Sequence, residues 1–138
     1  MTTWDEYKKT MDLPATLWSA AKADDVATIE RLLAAGAALD ARDARGYSPL
    51  MLAAYSGSAA AFDRLLAAGA DPNSADDGGN SVLMGACFKG HLSIIGRLLD
   101  AGADATAKNA AGVDAHGFAV MFGRHDVAAL LQARAQRP

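Results

Sequence analysis

The chain has 138 residues, 51% of them hydrophobic, with a formal charge of −3 and a pI near 5.5. That apolar content excludes global disorder and allows one domain with a substantial core, while the acidic balance lacks the clustered Lys and Arg that phosphate neutralisation demands, so nucleic acid is not an expected partner. The single cysteine, Cys87, excludes an intrachain disulfide and a cysteine-built zinc site and suits a reducing compartment.

Residues 1–13 begin Met1-Thr2-Thr3-Trp4-Asp5-Glu6-Tyr7-Lys8-Lys9, which sets two acids before the lysines and no apolar stretch behind them, unlike a secretory signal. No apolar run anywhere approaches the roughly 18 residues of a membrane helix, so no membrane is expected and the expected location is the cytoplasm. Trp4, Tyr7 and Met11 fall at i, i+3 and i+7, on one side of a short helix. Such a helix either folds back as a cap on the neighbouring segment or serves as a detachable partner-binding element. Alanine, about a quarter of all residues, favours helix and suits a GC-rich bacterial source.

From residue 14 onward the chain repeats. Leu32-Leu33-Ala34-Ala35-Gly36-Ala37 returns 33 residues later as Leu65-Leu66-Ala67-Ala68-Gly69-Ala70, and after another 33 as Leu98-Leu99-Asp100-Ala101-Gly102-Ala103. Gly46, Gly79 and Gly112 keep the same spacing, as do Gly57, Gly90 and Gly123. A fixed period of this size signals a stacked array of small identical units, here 14–45, 46–78, 79–111 and 112–138.

Each unit reads as helix, turn, helix, glycine stop and extended loop. In the second, Ser48-Pro49 opens a helix with a hydroxyl at the N-cap and proline in the first turn, and Leu50, Ala53 and Ala54 form a narrow apolar face. Gly57 ends that helix. The next, from Ala60 to Ala67, carries Ala61, Phe62, Leu65 and Leu66 at helical spacing, and Gly69 stops it where a left-handed residue is wanted. Asp71-Pro72-Asn73 leads to the turn-rich Asp76-Asp77-Gly78-Gly79, which suits a hairpin tip. A helix pair this small cannot bury its own apolar face and must stack on its neighbours, which predicts a buried ladder of Leu33, Leu66 and Leu99. The first unit has Asp24 where the others have glycine, and the last stops after Leu130-Leu131-Gln132 without a return loop. Both read as caps with more polar outer faces.

On these strings the chain resembles the ankyrin-repeat family from about Pro14 to its end. The family's D-x-x-G tip is matched by Asp43-Ala44-Arg45-Gly46 and Asp76-Asp77-Gly78-Gly79, and with asparagine by Asn109-Ala110-Ala111-Gly112. Its G-A-D-x-N loop is matched by Gly69-Ala70-Asp71-Pro72-Asn73 and in part by Gly102-Ala103-Asp104-Ala105-Thr106, and its G-H-L-x-I-V string by Gly90-His91-Leu92-Ser93-Ile94-Ile95. The family's T-P-L-H becomes Ser48-Pro49-Leu50-Met51, Ser81-Val82-Leu83-Met84 and Asp114-Ala115-His116-Gly117. The histidine that usually ties neighbouring turns is therefore absent from its place, which leaves open whether the usual hydrogen-bond network between turns forms. The resemblance implies an all-α solenoid of about four stacked helix-turn-helix units with hairpin-like tips, the first and last acting as caps.

The resemblance also implies a concave surface, made of the tips and the exposed side of the first helices, on which family members bind proteins. The repeat register maps one row of that surface onto Lys22, Tyr55, Phe88 and Met121, an adjacent row onto Ala23, Ser56, Lys89 and Phe122, and a third near the tips onto Tyr47, Asn80 and Val113. Aligned aromatic and methionine side chains are what an interface core prefers; the alternative is that Tyr55 and Phe88 cover the interior. Charges flank the stripe: Arg42 and Arg45 on one tip, Asp76 and Asp77 on the next, Lys108 beyond. Their alternation suits a partner of mixed charge and bears on encounter and register more than on affinity.

Catalytic signals are lacking: no H-E-x-x-H, G-x-S-x-G or P-loop string occurs, and His91, His116 and His125 do not share a helical face at metal-ligand spacing. Cys87 follows Ala86 at a small, buried helix position and reads as an inert thiol. The expected function is therefore a non-enzymatic module binding a protein partner, without cofactor or metal, as a monomer or a weak self-associating species. An inhibitor or immunity-type protein blocking an enzyme or toxin is the sharper variant, and a small-ligand binder or enzyme the reading from another class.

Overall fold

The computed structural model describes residues 16–135; the segment holding Trp4, Tyr7, Met11 and Pro14 lies outside the described residues. Among the described residues eight helices run in pairs: α1 (Leu17–Lys22) with α2 (Val26–Ala34), α3 (Pro49–Ser56) with α4 (Ala59–Ala67), α5 (Val82–Lys89) with α6 (Leu92–Asp100), and α7 (Ala115–Met121) with α8 (His125–Ala135). The first helices pack on one another in the order α1, α3, α5, α7, and the second helices form a parallel row α2, α4, α6, α8. Among the described residues no helix is long and apolar enough to cross a membrane.

Each first helix starts on a side chain that caps it. Thr16 Oγ1 accepts the Ser19 amide at 3.1 Å, Ser48 Oγ that of Met51 at 3.2 Å, Ser81 Oγ that of Met84 at 3.1 Å and Asp114 Oδ1 that of Gly117 at 2.8 Å, satisfying amides that no helical carbonyl can reach. The second helices α4 and α6 begin differently, because Ser58 and His91 give their own helices no side-chain cap and reach the preceding pair instead. Ser58 Oγ donates to the Lys22 carbonyl at 3.2 Å, His91 Nε2 lies 3.2 Å from the Tyr55 carbonyl, and Arg124 Nε donates to the Phe88 carbonyl at 3.1 Å. One position of the repeat thus ties every pair to the one before it, through three different side chains.

Between the two helices of a pair the chain turns in the left-handed region. Gly57 has φ 72°, and a Cβ added there would stand 2.9 Å from the His91 ring, so both backbone and packing demand glycine. Asp24 takes the same position with φ 58°, a conformation that aspartate tolerates better than most residues. Its Oδ1 accepts the Ala61 amide at 2.8 Å, so Asp24 supplies from the neighbouring pair the cap that α4 lacks.

The core lies between the two rows. The first helices contribute small residues, with Ala20, Ala53, Ala86 and Ala119 all buried at one register position, which lets the helices approach closely. The second helices contribute Ile29, Phe62 and Ile95, all wholly buried, and Leu65, Leu98 and Leu131. The leucine ladder differs from expectation: Leu33, Leu66 and Leu99 are only half-buried against the core, whereas Leu65 and Leu98 are fully enclosed. In the adjacent pair of leucines the first points inward, and a helix turns the second about 100° away.

The tips share one construction. Asp43 Oδ1 accepts the amides of Arg45 and Tyr47, Asp76 Oδ1 those of Gly78 and Asn80, and Asn109 Oδ1 those of Ala111 and Val113. A backbone bond from the first residue of each tip to the carbonyl four residues on closes the hairpin. Neighbouring turns are bonded through other side chains, without the missing histidine. Ser48 and Ser74 hydroxyls meet at 3.1 Å, Asp40 Oδ1 accepts the Asp71 amide at 3.0 Å, and Asn73 Oδ1 accepts the Asp104 amide at 2.7 Å. Asn109 Nδ2 donates to Asn80 Oδ1 at 2.9 Å, so asparagine at the third tip does what aspartate could not, because only an amide can donate.

The last pair is polar at some stacking positions, with His116 and Gln132 where the third has Leu83 and Leu99. Val120 nevertheless stands at the register of Ala21, Ala54 and Cys87, all wholly buried, and is 59% exposed.

Candidate binding groove

The side of the first helices turned away from the core, together with the tips, encloses a groove of about 770 Å³. All four pairs line it. Its walls come from Trp18, Ser19 and Lys22 on α1, Met51, Leu52, Tyr55 and Ser56 on α3, Val82, Gly85 and Phe88 on α5, Phe118 on α7, and Asp43, Arg45, Tyr47, Asp76 and Asn80 from the tips. The capped starts of the first helices fix where the side chains of the next two turns project, so the groove's geometry rests on the Thr16, Ser48, Ser81 and Asp114 bonds.

An aromatic strip runs along the groove and past its end. Tyr55 and Phe88 lie parallel, 8° between planes and 6.2 Å between centroids; Phe122 meets Phe88 edge-on at 4.6 Å, and Phe118 lies 5.8 Å from Phe122. Lys89 Nζ sits 4.7 Å from the centre of the Tyr55 ring, held over the ring's negative face. Tyr55 is 45% exposed while Phe88 is half-buried between its neighbours, so the row does both things its sequence allowed: Phe88 covers the interior and Tyr55 stands open.

Of the residues mapped to that surface and its flanking charges, Lys22, Arg45, Tyr47, Tyr55, Ser56, Asp76, Asn80 and Phe88 line the groove together, and Ala23 does not. Met121 and Phe122 lie beyond it, exposed at 65% and 46% at the end of the stack. Arg42, Asp77, Lys89 and Lys108 are exposed outside the lining, and Val113 is half-buried at the third tip. Asn80 is committed within the fold, since its Oδ1 accepts from Asn109 and its Nδ2 donates to Asp76 Oδ2 at 3.3 Å.

Sequence reasoning missed Trp18, Leu52, Gly85 and Phe118. Trp18 replaces the methionine of the next two pairs, Met51 and Met84, and its indole N–H donates to the Ala41 carbonyl at 2.9 Å, closing the first end of the groove. Leu52, Gly85 and Phe118 share one register position, but a leucine, a glycine and a phenylalanine carry no common signal. Cys87 is wholly buried, and desolvation pushes its thiol up to about 12, which keeps it protonated and unreactive. Among the described residues no three His, Cys, Asp or Glu side chains group as metal ligands.

Residues 17–109 match the protein-family model described as ankyrin repeats in three copies. No curated protein matches the chain.

Proposed function

Because the chain belongs to the ankyrin-repeat family, we propose that it is a non-enzymatic interaction module that grips a protein partner along the groove of its first helices and tips. Ankyrin repeats are generally protein–protein interaction modules. The observation that carries the reading to this face is the half-open Tyr55 ring, parallel to Phe88 on a concave surface reached by all four pairs. Aromatic side chains left partly open in a concavity are the usual anchors of an interface. A cytoplasmic setting suits the buried free thiol of Cys87.

The test is affinity capture from the native cell with the intact chain and with the double variant Tyr55→Ala, Phe88→Ala. The reading expects a partner retained by the first and lost by the second, with both baits equally folded. A partner retained equally by both would overturn the groove as the site.

A second reading, self-association, is favoured by the exposure of Val120 and Met121 on the last pair. Light scattering across a concentration series separates a monomer from a dimer, and a dimer broken by Val120→Asp would support it.

A further inference from the structure

Resting on the reading that the groove is the partner site, we propose that its occupant is an extended, acidic protein segment that seats one apolar side chain over Gly85. Three observations carry this, one for shape, one for the anchor and one for charge.

The groove of about 770 Å³, walled by tips on one side and helices on the other, is concave and half-open to solvent. It takes a strand of chain with its side chains more readily than the broad flat face of a globular partner.

Gly85 lies inside α5, where glycine weakens a helix, and its backbone does not require it, since no left-handed φ occurs there. Nor does packing: a Cβ at Gly85 would meet only Tyr55 Cδ2, at an ordinary 3.8 Å. An alanine would therefore fit and strengthen the helix. What glycine provides is a hollow in the floor, flanked at the same register by Leu52 and Phe118 and beside the Tyr55 ring. Such a hollow fits an aliphatic or proline side chain from outside.

The charges of the groove are unequally committed. Asp43 and Asp76, its two lining carboxylates, each spend Oδ1 on two amides at 2.9 Å that hold their tips. Lys22 and Arg45 line the same groove and have no ion-pair partner among the described residues; Lys89, outside the lining, stands over the Tyr55 ring. The lining's formal charges balance, Lys22 and Arg45 against Asp43 and Asp76, but the carboxylates already accept bonds within the fold, so the charged groups left to bond an occupant directly are the two cations. The alternating tip charges suggest a partner of mixed sign, but Asp77, like Lys89, lies outside the lining, and Asp76 accepts bonds at both of its oxygens. Complementarity then selects carboxylates on the bound segment.

The experiment selects peptides from a short random-sequence library on the full chain and measures their affinities by calorimetry. The comparison set is the wild type, Lys22→Glu with Arg45→Glu, Gly85→Ala, and Tyr55→Ala with Phe88→Ala. Selected peptides are expected to carry more Asp and Glu than Lys and Arg around an apolar residue, and to bind more weakly as salt is raised. The charge reversal is expected to weaken them by about tenfold or more. Gly85→Ala is expected to raise the melting temperature while weakening the peptides severalfold, a divergence that a merely structural role would not produce. Neutral or basic peptides, or affinities indifferent to the charge reversal, overturn the acidic segment; if Tyr55→Ala with Phe88→Ala still abolishes binding, the groove reading survives. Peptides that bind that double variant as well as the wild type overturn the groove reading itself. A library that yields no binder counts against the segment, as does a chain dimer that the same double variant dissociates, which would make a second copy the occupant.

Discussion

The Nε2 of His91 lies 3.2 Å from the carbonyl oxygen of Tyr55, and its ring stands where a side chain on Gly57 would have to go. A carbonyl only accepts, so the imidazole donates and satisfies an oxygen at the end of α3 that the helix leaves open. His91→Ala is expected to cost about 1 kcal/mol of stability. Gly57→Ala is expected to cost about 1–3 kcal/mol, from positive φ and from the ring together. In the double variant the second cost shrinks, because the ring is gone and only the backbone strain remains. Denaturant titration of the four proteins reads this coupling, and strictly additive costs would show that the ring does not set the limit.

Leu65 and Leu66 are neighbours in sequence and differ in burial. Leu65→Ala, at a wholly buried position, is expected to lose about 2–5 kcal/mol through lost transfer and the cavity left behind. Leu66→Ala, half-buried, is expected to lose about 1–2 kcal/mol. Equal losses in urea melts would return the second leucine to the buried ladder.

Cys87 offers a probe of opening. Burial pushes its thiol up to about 12, so at neutral pH a disulfide reagent meets neither thiolate nor access. The native protein is expected to react only as fast as α5 opens, and denaturant is expected to release the full thiol signal at once. Fast labelling of the folded chain would contradict the enclosure of α5.

Asp25 and Asp104 link stability to acid. The hydroxyl and amide of Thr28 hold Asp25 below its ordinary 3.8, and those of Thr106 do the same for Asp104. A carboxyl lowered in the folded state stabilises the fold in full above the unfolded value, and that contribution is lost as pH falls through the folded value. Thr28→Val and Thr106→Val are expected to raise the two carboxyl pKa values toward 3.8 and to move acid unfolding to higher pH. Carbon-detected NMR titration of the two carboxyls checks the first expectation and a series of melts the second; unchanged titration would mean the hydroxyls do not hold the charge.

The period of the chain was legible because glycine and leucine recur where the backbone must turn or the core must fill. Ser48 and Pro49 announced a helix start, Gly57 its end, and Gly69 the end of the next helix. The inward leucine was not legible: Leu65-Leu66 repeats as a unit, and a repeat cannot tell which of two adjacent positions faces the core. Asp24 was visible as a departure from glycine, yet its bond to Ala61 joins residues 37 positions apart and has no local mark. In the groove, Tyr55 and Phe88 stood out because they share register and chemistry. Gly85 did not, since its contribution is empty space, and the commitment of Asn80 depends on an amide one tip away.

The ties from Ser58 to Lys22, His91 to Tyr55 and Arg124 to Phe88 each cross a single boundary with a separation of 36 residues. Under tension applied to the two ends, such bonds carry load in series, so no boundary is shielded by another. The chain should then yield as a sequence of detachments, each boundary giving way at its own force, set by its hydroxyl, imidazole or guanidinium tie together with the ion pair, tip bonds and packed core beside it.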